Sequence, residues 1–255
     1  MKVLSISSQV VWGPVGNSAA VPALQAKGHE VLALPTITLS NHPGHGAPAG
    51  FRTHAEDMAR MFAALEALGA LHNLDAMLTG YFASVGQVEE VAGLLGRVAV
   101  PYLLVDPVMG DHGRLYIPQE VAEAIRTHLV PRASCLTPNA FELAWLSGHE
   151  VTDEESAITA ARSLALPEVL ATSVPSHDGL ATLLITPDAV HRIVAPKLAQ
   201  VPNGTGDFLS GLYLAERLGH PPQRAFAAAM KTLARAIALS SGTTVLNVAG
   251  ALHQS

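Results

Sequence analysis

Residues 203–211 read Asn-Gly-Thr-Gly-Asp-Phe-Leu-Ser-Gly and precede a long apolar stretch. Gly204 and Gly206 allow a tight turn with bare backbone N–H groups. A helix expected to start at Thr205 adds unpaired amides and partial positive charge. Together these features make an anion site able to hold a phosphoryl group in transfer. Asp207 lies inside it. A carboxylate repels phosphate, so it is a poor ligand there, but it is well placed to take a proton from an attacking hydroxyl. Read alone, the segment could equally be an ordinary loop with Asp207 capping a helix. No Gly-x-x-x-x-Gly-Lys-Ser/Thr segment occurs, which argues against a P-loop mechanism.

Other reactive side chains sit at the ends of apolar runs. Ser8, Tyr81, Asp106, Thr137, Glu142, Thr172 and Ser173 are the clearest. Each has a plain structural alternative. Ser8 could be a structural hydroxyl, Tyr81 a core-edge aromatic and Glu142 a solvated helix residue. Asp106, before Pro107, could simply form a turn. His42 and His45 are three apart, but no cysteine and no obvious third ligand lies nearby to complete a zinc site.

The elements that must position these residues alternate. Strands are expected at 3–7, 31–34, 76–79, 102–105, 134–136 and 169–172, with paired strands at 180–185 and 189–194. Helices are expected at 17–27, 53–68, 85–98, 118–128, 139–146, 153–164, 205–218 and 222–240. Met58, Met61, Phe62, Leu65 and Leu68 form the apolar stripe of the second helix. Thr152 is a plausible N-cap, and Pro221-Pro222 starts the last helix cleanly. Alternation of this kind implies a largely parallel sheet with helices on both faces. Ligands in such sheets bind outside the carboxyl ends of the strands. The loops from Ser8, Ser40, Gly80, Asp106, Thr137 and Thr172 onward are expected to converge there.

Composition fits this α/β reading. The chain has 255 residues, 49% hydrophobic and 14% charged, which suits a folded protein with a sizeable core. A formal net charge of -6 argues against a nucleic-acid binder. Cys135 is the only cysteine, so no internal disulfide is possible and a reducing compartment fits. No run approaches the ~18 apolar residues of a membrane span, so the expected location is the cytoplasm. No linker or repeat divides the chain, and residues 1–255 are expected to form a single domain.

The motifs, taken in order, resemble the ribokinase superfamily. Gly204-Thr205-Gly206-Asp207 is similar to its Gly-(Ala/Thr/Val)-Gly-Asp signature. Within the superfamily the resemblance is to pyridoxal kinases, from about Leu4 to the final helix. Residues 8–20, Ser-Gln-Val-Val-Trp-Gly-Pro-Val-Gly-Asn-Ser-Ala-Ala, are similar to the family's first strand-loop-helix. Residues 39–42, Leu-Ser-Asn-His, stand where the family has Phe-Ser-Asn-His. Leu78-Thr79-Gly80-Tyr81, Asp106-Pro107-Val108-Met109-Gly110-Asp111 and Thr137-Pro138-Asn139-Ala140-Phe141-Glu142 also match.

The resemblance implies a three-layer ribokinase-like α/β sandwich and phosphorylation of the 5′-hydroxymethyl group of pyridoxal, pyridoxine or pyridoxamine by ATP. It implies that the amides of Gly204, Thr205 and Gly206 form the anion hole and that Asp207 is the catalytic base. Ser8 would hydrogen-bond the pyridine ring, and Val15 and Tyr81 would sandwich it. Leu39 and His45 would complete the substrate pocket. From their expected loop positions alone, and not from the resemblance, Trp12 and His45 are expected to close over the substrate as a lid. Asp106 and Glu142 would hold Mg²⁺ through water. Asp106, Asp111, Thr137, Glu142, Thr172, Ser173 and Thr205 would face the nucleotide. K⁺ is a candidate monovalent ion, and a homodimer is the implied assembly.

The chain departs from the family in places. Pro43 and His45 stand where many members have Thr and Tyr, and Leu39 replaces a common Phe. The connection from Ser173 to Gly204 is shorter than in many relatives. These changes leave room for a non-catalytic vitamer-binding relative. A hydroxymethylpyrimidine kinase is the enzymatic alternative, although it usually has a Gly-rich, Asp-containing first loop.

Overall fold

Alternating burial along the early strands sets the layering. In β1 (Lys2–Trp12) Val3 faces one core while Leu4 and Ile6 face another. In β4 (Ala76–Thr79) and β5 (Leu103–Val105), Met77 and Leu103 point one way, and Leu78 and Leu104 the other. The period of two puts successive side chains on opposite faces, so a strand that is apolar throughout must be covered on both sides. The computed structural model describes residues 1–198 and 200–253 and has this sandwich.

One face is covered by α1 (Asn17–Gln25), α7 (Thr205–Arg217), α8 (Pro222–Leu239) and α9 (Val248–Leu252). The other carries α2 (Ala55–Ala67), α3 (Val85–Leu94), α4 (Gln119–His128), α5 (Ala140–Ser147) and α6 (Glu154–Ser163). Between them lies a sheet that also contains β2 (Glu30–Asn41), β3 (Gly50–Arg52), β8 (Cys135–Leu136), β9 (Glu168–Ser176), β10 (Gly179–Ile185) and β11 (Val190–Ala195). Its order is β11-β10-β9-β8-β5-β4-β1-β2-β3. The run from β2 to β9 is parallel, and β3, β10 and β11 add antiparallel edges. Among the described residues no helix is long and apolar enough to cross a membrane.

The structure revises several sequence-based boundaries. Ser8 and Ser40 do not begin loops. β1 and β2 continue as a paired ribbon to Trp12 and Asn41, with a register shift between Ser7 and Gln9. Cross-strand pairing there outweighs the polar, glycine-flanked composition. Asp153, not Thr152, caps α6, because its carboxylate accepts the Ser156 amide at 2.8 Å while the Ser156 hydroxyl accepts the Asp153 amide. The hairpin of β6 (Gly110–Asp111) and β7 (Arg114–Leu115) has too few residues to show alternation. The same holds for β3.

Candidate active site

The carboxyl ends of the parallel strands meet the start of α7. Gly204 precedes that helix at φ 87 in the left-handed region. A β-carbon there would lie 1.9 Å from the Pro14 carbonyl oxygen and 3.2 Å from Val15 Cγ1. Only glycine fits, and its tight seat presses this turn against the loop that carries Val15. The amides of Thr205, Gly206 and Asp207 belong to the first turn and have no intrahelical partner. Nothing lies within 4 Å of a β-carbon built on Gly206, so the space over this turn is open.

Asp207 is half-buried on the inner side of the turn. Burial pushes its carboxyl up to about 6, while the Gly16 amide and its own amide pull it down. Gly16 also touches Ser8. It sits at φ 56, and a β-carbon on it would fall 2.3 Å from Ser8 Oγ. The Gly16 backbone therefore links Asp207 to Ser8. Ser8 itself is 9% exposed at the site end of β1.

Asp106 follows β5 and is 7% exposed. Burial raises its carboxyl well above the usual range, and the charges of Asp207 and Glu142 raise it further. Hydroxyls of Ser210 and Thr137 oppose that rise. Ser210 Oγ donates to Asp106 Oδ2 at 2.9 Å and lies 2.9 Å from Thr137 Oγ1. Glu142 is 3% exposed, which rules out the solvated-helix alternative. Its Oε1 accepts the Met109 amide at 3.0 Å and the Gly110 amide at 3.4 Å. Its Oε2 accepts the Asn139 amide at 2.9 Å, completing a capping box at the start of α5. Burial still pushes Glu142 up to about 7.

None of the groups that chiefly set these three pKa values is a cation. A cluster of buried acids without a basic partner suits a divalent cation. Yet no group of three His, Cys, Asp or Glu side chains among the described residues could hold a metal directly. The residues present therefore fit a cation bound largely through water and phosphate oxygens. Asp111 is exposed on the β6–β7 hairpin, and its charge reaches Glu142.

On the ring side, Tyr81 is fixed by its backbone. Its amide donates to Ser7 Oγ at 3.2 Å, and its carbonyl accepts Thr36 Oγ1 at 2.7 Å. Leu39, half-buried on β2, pairs with Val10. His45 lies in a short 3-10 turn (Pro43–His45). Its ring centroid is 4.5 Å from that of Trp12, with the planes tilted by 39°. His45 Nε2 is 2.9 Å from Thr244 Oγ1 and 3.4 Å from Asn203 Nδ2. Either ring nitrogen can carry the proton, because Thr244 Oγ1 can accept or donate. His45 Nδ1 is buried without a partner. The His42 ring centroid is 6.0 Å away, and His42 Nδ1 accepts the Gly44 amide. Burial and neighbouring His45 lower the His42 pKa.

Thr172 and Ser173 lie on β9 at a bulge opposite Thr182, where the register shifts between Ala181 and Leu183. Ser173 adopts φ 55 there. Bulges re-aim side chains beside functional sites, and the Thr172 amide donates to the Pro138 carbonyl at 2.8 Å. A cavity of about 450 Å³ lined by Gln9, Val10 and Pro14 does not include Asp207 or Tyr81.

The sequence reading missed Ser210, Tyr116, Asn203 and Thr244 as neighbours of the site. Ser210 had a signal, since it follows Asp207 by three residues on one helix face. Burial and the charges of Glu142, Asp106, Asp207 and Asp111 push the Tyr116 phenol upward, although 56% of the residue is exposed. The four carboxylates are what place Tyr116 beside the site. Thr244 gives no local sign of its role.

The family model described as phosphomethylpyrimidine kinase matches residues 21–253. The pyridoxine/pyridoxal/pyridoxamine kinase of Bordetella avium is 38% identical over 250 residues, covering 92% of this chain and 84% of its own. The structure is similar to pyridoxal kinase from Leishmania donovani in complex with ADP and pyridoxamine. The TM-score is 0.90 and the identity 34%, with 98% of this chain and 94% of that one covered. Pyridoxal kinase from Entamoeba histolytica superposes with a TM-score of 0.92 at 28% identity, over 98% and 94% of the two chains. A parallel sheet between two helical layers, with a glycine turn and an inward aspartate opening a helix at its carboxyl edge, is the ribokinase-like small-molecule kinase arrangement. Within that superfamily, the chain belongs to the pyridoxal kinase family.

Proposed function

We propose that this protein transfers the γ-phosphoryl group of ATP to the 5′-hydroxymethyl group of pyridoxal, pyridoxine or pyridoxamine. The observation that carries the reading is the seating of Asp207. It stands at the mouth of an open amide turn and shares the Gly16 backbone with the Ser8 ring site. In this mechanism Asp207 takes the proton of the substrate hydroxyl as its oxygen attacks phosphorus. The amides of Gly204, Thr205 and Gly206 receive the charge spread over the moving phosphoryl oxygens.

Ser8 hydrogen-bonds the pyridine ring, and Val15 and Tyr81 hold its two faces. Leu39 forms part of the wall. His45, with its ring against Trp12, forms part of the same wall. Trp12 and His45 cover the ring and exclude water. Asp106, Asp111, Thr137, Glu142, Thr172, Ser173 and Thr205 face the nucleotide. Asp106 and Glu142 would hold Mg²⁺ through water, and the bound ion would screen the phosphate charges. K⁺ is the candidate monovalent ion. A single domain spanning the chain, a homodimer and a cytoplasmic location belong to the same reading.

The matching family model is described as phosphomethylpyrimidine kinase, so phosphorylation of a hydroxymethylpyrimidine is the alternative that the assay must separate. The test is an assay of purified protein with Mg-ATP and each B6 vitamer or the hydroxymethylpyrimidine. We expect phosphorylated B6 product, with higher kcat/KM than on the pyrimidine. The reverse order would install that alternative. Vitamer binding with no turnover would make the protein a non-catalytic relative.

A further inference from the structure

Three elements distant in sequence are joined by one buried hydroxyl. Ser210 is 1% exposed on α7, one turn beyond Asp207. Its Oγ donates to Asp106 Oδ2 at 2.9 Å across 104 residues of chain. Thr137 Oγ1 lies 2.9 Å from Ser210 Oγ, and its hydroxyl also acts on Asp106. These contacts order the ends of β5 and β8 against the helix that bears Asp207.

We propose that Ser210 is a positioning residue for the metal–nucleotide complex. It fixes Asp106 Oδ2 and so leaves the second Asp106 oxygen to face a metal-bound water. It also keeps Asp106 in register with Asp207, so that the nucleotide end and the base move as one unit. This inference rests on the kinase reading above. Groups that orient a metal-facing carboxylate typically control metal affinity by about tenfold to a hundredfold.

Calorimetric titration of ADP with and without Mg²⁺ tests it. The wild-type protein is expected to bind ADP more tightly when Mg²⁺ is present. Ser210→Ala should lose roughly tenfold of that gain, with metal-free ADP affinity and the KM for pyridoxal unchanged. Ser210→Thr, which keeps the hydroxyl, should restore the gain. If Ser210→Ala does not fold, Ser210→Cys fills the same space with a weak donor and should show a partial loss. A merely structural serine would weaken both titrations together or neither, and either outcome overturns the proposal. So does a wild-type protein that binds ADP without any Mg²⁺ gain. A wild-type protein that binds no nucleotide at all would instead strike the kinase reading.

Discussion

Asp207→Asn should act on activity and stability in opposite directions. The carboxyl is pushed up to about 6, so at pH 7 roughly nine-tenths of it is ionised and ready to accept a proton. Removing a positioned base costs about 10²- to 10⁴-fold in turnover. The kcat/KM of the wild type should rise with pH through about 6 and then level off. The variant should lose both the plateau and that rise. Stability follows from the same shift. The folded chain holds this proton more tightly than the unfolded chain, so the stability it contributes is fully present below about pH 4 and is lost as pH rises through about 6. Two pKa units correspond to at most about 3 kcal/mol, and half-exposure reduces that to about 1–2 kcal/mol. An uncharged asparagine escapes this cost. Thermal melts at pH 8 should place the Asn variant ~2–6 °C above the wild type, with no gain at pH 4. A variant with near-normal turnover would remove Asp207 as the base. A variant less stable at pH 8 would show that its charge is held by hydrogen bonds and not merely desolvated.

Further outcomes follow from neighbouring groups. Gly204→Ala forces a β-carbon onto the Pro14 carbonyl at φ 87, whereas Gly206→Ala meets nothing. The first should lose folding stability and activity together. The second should melt like the wild type yet lose about 100-fold or more in kcat, because its methyl enters the phosphoryl space; full activity in Gly206→Ala would remove the anion turn from the mechanism. Tyr81→Ala should raise the KM for pyridoxal about 2- to 10-fold, because the ring loses its stacking partner, and leave that for ATP unchanged; equal effects on both would argue against ring contact. Glu142 is raised to about 7, so its contribution to stability is present below about 4.5 and lost as pH rises through 7. The metal-free protein should melt lower at pH 8 than at pH 5, and Mg-ADP should narrow the gap; a flat pH profile contradicts the buried-acid cluster. Thr79 Oγ1 is fully buried without a partner. Thr79→Val should be neutral or raise the melting temperature by a few degrees, and a marked loss of stability would reveal a bond to that hydroxyl.

Much of this protein is encoded locally. The capping box of Asn139 and Glu142 is made by residues three positions apart and needs only its chain neighbours. The start of α7 is marked by the spacing of Gly204, Gly206 and Asp207, whereas the seat of Gly204 depends on the distant Pro14 carbonyl. The parallel sheet is legible too, because short apolar strands separated by helices can bury both faces in few other ways.

Contacts across long separations were decided elsewhere. Ser210 meets Asp106 across 104 residues, and His45 meets Thr244 across 199. Nothing in the local composition of Thr244 announces a contact with His45. The strand order places β5, β8 and the start of α7 at one edge, and packing then chooses which hydroxyl faces which acid. The pKa values of Asp207 and Glu142 likewise belong to the folded state, because removal of water from a carboxylate depends on everything packed around it and not on its neighbours in sequence.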